Sequence, residues 1–152
     1  SSAASDVYKR QPQLVATLVN TRKHAGMIVP APVQHAMAVA LADDAHVAEQ
    51  KDRYRRRRDA LRTALEASGH TVDHSEAGLY LWTRRADLDP ADATAQDSWD
   101  LLGDLAGLGI IAGPGVFYGA GGDGYVRVAI TATDEAVARA AARLTARGPR
   151  TG

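Results

Sequence analysis

Gly109-Ile-Ile-Ala-Gly-Pro-Gly-Val-Phe-Tyr-Gly119, then Gly124-Tyr-Val-Arg-Val-Ala-Ile-Thr131, is the stretch that decides the fold. Side chains alternate between the two faces of a strand, so Val126, Val128 and Ile130 fall on one face. Tyr125, Arg127 and Ala129 fall on the other. This alternation predicts a strand over Tyr125–Thr131. Gly119, Gly121 and Gly124 formally match G-x-G-x-x-G. A dinucleotide site, however, needs that motif to leave a strand and open a helix, whose amides hold the pyrophosphate. Here the glycines lead into a strand, so they read as a turn between two strands, the first being Ile110–Ala112.

Working outward, Thr71–Asp73 and Leu79–Arg84 read as further strands, the second with Tyr80 and Trp82 on one face and Leu79 and Leu81 on the other. Asp97–Leu108 reads as a helix stopped by Gly109. Thr133 caps a last helix, with Asp134 and Glu135 complementing its dipole, and Gly148-Pro149 ends it. Residues 69–148 are therefore expected to form an α+β unit within an α/β chain, with a small, mostly antiparallel sheet and flanking helices. Before it, residues 44–68 form a long helix capped by Asp43 or Asp44. Its apolar seam (Val47, Tyr54, Leu61, Leu65) is sparse, as expected for a rod bridging two bodies. Residues 12–43 hold a short amphipathic helix begun at Pro12, an extended passage from Gly26 to Pro32, and a helix Val33–Leu41. That last helix is apolar nearly all round and is expected to be buried. Residues 1–11 differ from the rest, Ser1–Ser5 being small and polar; they read as a non-native scar or a disordered lead.

Composition removes several function classes. Lys+Arg and Asp+Glu are both 18, so the net charge is zero and no basic excess exists to displace counterions from nucleic acid. No apolar run approaches the roughly 20 residues of a membrane span. The chain has no cysteine, which excludes disulfides, thiolate catalysis and Cys-based metal sites and fits a reducing, cytoplasmic setting.

Three clusters carry candidate chemistry. Arg53 and Arg55–Arg58 read best as a solvated helix face laced with Glu49, Asp52, Asp59 and Glu66 at helical spacing. His70 and His74 lack a third metal ligand, and His24, His35 and His46 share no metal spacing, so no metal is expected. Arg127 has two readings. It is either an outward arginine on a half-exposed strand or a rigidly mounted, bidentate carboxylate receptor.

Three segments taken together, Ala77-Gly-Leu-Tyr-Leu-Trp82, Gly109–Gly119 and Gly124–Thr131, resemble the C-terminal part of the class I/II pyridoxal-phosphate aminotransferases of fold type I. The likeness runs from Pro12 to Arg147. Arg22–Gln34 looks closest to the N-succinyldiaminopimelate aminotransferases of actinobacteria. The resemblance implies that Arg127 pairs with the substrate α-carboxylate, and that Gly78 and Tyr80 lie on a small-domain strand closing over the substrate. It also implies that Pro114 and Gly115 form the turn before the arginine's strand, and that Met27–Gln34 lies near the site mouth and a dimer interface. Residues 12–43 would end the large domain, 44–68 would be the interdomain helix and 69–148 the small domain. The implied parent is a homodimer that binds pyridoxal 5'-phosphate and passes an amino group from an amino acid such as glutamate to a 2-oxo acid in diaminopimelate and lysine biosynthesis. Neither Lys23 nor Lys51 sits in the family's Schiff-base lysine context, so that lysine and most cofactor contacts are expected upstream and the fragment alone is expected to be inactive. The alternatives are another amino-acid or aspartate-type transaminase, or the aminotransferase-like ligand-binding half of a transcription regulator.

Overall fold

Proline openings, charged rods and alternating strands follow one another along the computed structural model, which describes residues 11–149. The expectation for residues 1–11 falls almost wholly outside that range. The described chain divides between His46 and Val47 into two units.

The first unit contains α1 (Pro12–His24) and α2 (Ala31–Ala42), each begun by a proline in its first turn, where the missing N–H removes no helical bond. Between them the Met27 amide donates to the Arg22 carbonyl, closing a turn in which Gly26 takes φ of +68°. The expectation that Val33–Leu41 is buried is not met: Val39 is 58% and Leu41 71% exposed, and no residue of α2 is buried. Apolarity alone set that expectation. At the end of the unit the Asp43 carboxylate accepts from the amides of Ala45 and His46, which caps the next helix and holds its carboxyl below the usual range.

That helix, α3 (Asp44–Ala67), delivers Leu61, Ala64 and Leu65 to the core of the second unit. Four strands follow: β1 (His70–Asp73), β2 (Tyr80–Arg85), β3 (Gly113–Pro114) and β4 (Tyr125–Ala129), all antiparallel in the order β1-β2-β4-β3. The expected strand at Ile110–Ala112 is a correction, since the pairing falls instead on Gly113–Pro114. Ile110 is buried and Ile111 is 93% exposed, so the triplet is an extended approach with no ladder.

The helix α4 (Ala95–Gly107) starts earlier than expected. Thr94 is its cap, and Asp97 sits in the first turn, closing a reciprocal capping box with Thr94. The last helix, α5 (Asp134–Arg147), is capped by Thr133. Leu81, Val126 and Val128 on one sheet face join Leu61 and Leu65 of α3, Leu101 and Leu105 of α4, and Val137 and Leu144 of α5 in one core. Burying each such side chain contributes roughly 1.5–3 kcal/mol. No helix among the described residues is long and apolar enough to cross a membrane.

Candidate functional site

The strand register puts Asp73 opposite Trp82, Trp82 opposite Arg127, and Arg84 opposite Tyr125. Alternation then gathers Asp73, Tyr80, Trp82, Arg84, Tyr125 and Arg127 on the face turned away from the core. Arg127 lies mid-strand on β4, between β2 and β3, with Gly113 as its other partner.

The Arg127 guanidinium carbon stands 4.1 Å from the ring centroid of Tyr80 and 4.9 Å from that of Tyr118. Tyr80 arrives from β2 on one flank of β4, and Tyr118 from the 3-10 turn Gly115–Tyr118 beyond β3 on the other. Among the described residues no carboxylate pairs with Arg127. Its N–H fork is therefore available to an anion, the chemistry of a carboxylate receptor.

Beside it lies a braced aromatic row. Tyr118 meets Trp82 edge-on, with centroids 5.7 Å apart and planes at 82°. Trp82 stacks on Tyr125 at 5.1 Å and 12°. The Tyr125 hydroxyl donates to Asp73 Oδ2 at 2.9 Å, and Arg84 Nε donates to the same oxygen at 3.0 Å. Burial, reinforced by the bond to Asp73, raises the Tyr125 phenol above its ordinary value. The row thus ends in an ion pair and cannot easily slide.

The turn carrying Tyr118 is fixed by backbone contact. A methyl group on Gly115 would stand 2.0 Å from the Gly122 carbonyl oxygen, and one on Gly122 would stand 2.1 Å from that of Gly115. Only glycine at both positions lets the two 3-10 turns pass this closely. The glycine-rich stretch therefore builds a strand-to-strand connection, as its position before β4 implied.

The other sequence candidates fall in different places. Gly78 takes φ of +78° two residues before Tyr80, and its carbonyl accepts from the Arg58 guanidinium of α3. Pro114 pairs with Val126. Met27–Gln34 lies in the first unit. Arg53, Arg55 and Arg56 pair within α3, with Glu49 and Asp52, as the helix spacing implied. Arg57 and Arg58 depart from that pattern: Arg57 bonds Asp134 at the start of α5, and Arg58 reaches the turn before β2. His70 is buried, and its Nδ1 lies 3.0 Å from the Ser68 hydroxyl and 3.2 Å from the Leu65 carbonyl. Burial lowers its pKa. Instead of extending the strand, His74 takes φ of +47°. No group of three or more His, Asp or Glu among the described residues could hold a metal ion.

A cofactor that reacts through a lysine needs an amine in a desolvated, partnered setting and amides for its phosphate. Lys23 and Lys51 are exposed on helix surfaces, and the glycine turn opens no α-helix. The described residues therefore leave a guanidinium open to an anion, and neither Lys23 nor Lys51 has such a setting.

The family described as "Aminotransferase class I and II" matches residues 12–144. The 4-dedimethylamino-4-oxo-anhydrotetracycline transaminase of Streptomyces rimosus is 54% identical over 134 residues, which are 88% of this chain and 35% of that protein. The LL-diaminopimelate aminotransferase of Oleidesulfovibrio alaskensis is 37% identical over 132 residues, 86% of this chain and 32% of its own. A Thermus thermophilus aspartate aminotransferase superposes with a TM-score of 0.68 at 22% identity over 89% of this chain and 36% of its own, a likeness of fold. The chain spans about a third of the length of these relatives.

Proposed function

Since the chain belongs to the class I and II aminotransferases, we propose that its parent protein is a pyridoxal-phosphate transaminase and that these residues grip its substrate. The observation that carries this is Arg127, a guanidinium on a central strand, framed by two rings and unpaired with any carboxylate among the described residues. Arg127 takes the α-carboxylate shared by amino donors and 2-oxo acids, with Tyr80 beside it and Gly78 shaping the approach to β2. When bound, the cofactor supplies the electron sink for moving the amino group; this chain's residues orient the acid that reacts. The cofactor is held by residues outside this chain, in a cytoplasmic homodimer whose interface includes Met27–Gln34.

The substrate pair proposed is glutamate and the N-succinyl oxo acid of diaminopimelate synthesis, supported by Arg22–Gln34. A second reading rests on the 54% identity to the S. rimosus enzyme: an acceptor ketone that carries no α-carboxylate.

Arg127→Lys in the full-length enzyme tests both. Lysine offers one point charge in place of a planar fork. The glutamate half-reaction is expected to lose about 2–4 kcal/mol in kcat/KM by single-turnover kinetics. A parallel loss in the acceptor half supports the oxo acid, and an unaffected acceptor half supports the ketone. A donor half-reaction near wild type overturns the receptor role.

A further inference from the structure

A receptor arginine has a design conflict. Its long side chain has to be fixed, yet the usual way of fixing it, an ion pair with an internal carboxylate, occupies the N–H donors and neutralises the charge meant for the ligand. Here the fixing groups are rings. Tyr80 and Tyr118 both present ring faces to the guanidinium within 5 Å, and an aromatic face attracts a cation without accepting an in-plane N–H bond.

Tyr118 is placed to do this for a reason the sequence motif does not state. Its turn is locked where the Gly115 and Gly122 backbones touch, and its ring abuts Trp82. Trp82 in turn stacks on Tyr125, which is tied to Asp73 and Arg84. Half of Tyr118 is nevertheless exposed.

We propose that Tyr118 is a positioning residue for the substrate carboxylate. It holds the Arg127 guanidinium by its ring face, opposite the flank held by Tyr80, so that the N–H fork stays free and aimed. This rests on the reading of Arg127 as the carboxylate receptor. The role belongs to the ring's electrons and not to the hydroxyl, which separates it from a substrate-binding tyrosine and from a merely packed one.

The full-length holoenzyme tests it through KM for glutamate, kcat, and the dissociation constant of 2-oxoglutarate. Tyr118→Leu should raise KM and the dissociation constant by about three- to tenfold, the range of one partly exposed cation–ring contact. kcat should stay within about twofold of wild type. Tyr118→Phe should restore tight binding. Phenylalanines carrying one, two, three and five fluorines at position 118 should weaken binding in graded order as the ring face loses negative charge at almost constant size. This series decides the matter even if the leucine variant folds poorly. A flat fluorine series overturns the proposal, as does a Phe variant as weak as Leu, which would give the contact to the hydroxyl. Arg127→Lys separates the two levels. If it leaves glutamate KM unchanged, the receptor reading fails. If it raises KM while the position-118 series is silent, only the role of Tyr118 fails.

Discussion

Asp73 shows how much one carboxylate can decide. It receives both the Tyr125 phenol and Arg84, and both donors are largely withdrawn from water. Asp73→Ala strands them, at a cost of about 1–3 kcal/mol, measurable by urea unfolding and accompanied by a shift in Trp82 emission. Two titrations have opposite signs. The folded Tyr125 phenol titrates above its unfolded value because it is buried, so its contribution to stability is complete below about pH 10 and is lost as pH rises beyond that. Tyr125→Phe should flatten the alkaline limb of stability against pH. Burial moves folded His70 the other way, so its contribution is complete above about pH 6.5 and is lost as pH falls below that. A chemical-shift titration that puts His70 at or above the ordinary histidine value would contradict this.

At the scale of elements, the glycine crossing sets the site. Gly115→Ala or Gly122→Ala should cost about 1–3 kcal/mol by thermal melting, as an overpacked contact does, and should weaken carboxylate binding by displacing Tyr118. A variant with wild-type melting and affinity would show that the turns have slack. The elements differ in how legible they were. The strand around Arg127 was plain, because a charge among alternating Val and Ile residues fixes a period of two. β3 was not, because two residues, one of them proline, carry no period, and the β-branched pair Ile110-Ile111 drew the assignment three residues early. The long helix was readable from its caps and charges. The outward reach of Arg57 and Arg58 was not, since helical spacing names partners only within the helix. Tyr80 was identified through the family resemblance. Tyr118 had no signal, because a glycine-rich turn has no face to predict from. Pairing the aromatic face of β2 with that of β4 would have exposed the Trp82–Tyr125 stack.

For the molecule as a whole, the exposed apolar helices of the first unit matter most. Purified alone, the 152-residue chain should bind a hydrophobic dye and self-associate, and amides in 69–147 should exchange more slowly than those in 12–41. A monodisperse monomer with uniform protection would refute this. The same chain should leave the absorption spectrum of added pyridoxal phosphate unchanged, and a saturable new band would place a lysine site within it. The sheet order β1-β2-β4-β3 has a further consequence, for synthesis on the ribosome. The first two strands emerge as a hairpin, but the inner edge of β2 stays bare until β4 arrives, and the bond tying β1 to β4 joins residues 52 positions apart. During that interval the nascent chain shows an unpaired backbone edge and half an aromatic row, an adhesive surface with no function yet. The last strand to emerge carries Arg127, so its pairing closes the edge and sets the guanidinium beside Tyr80 in one event.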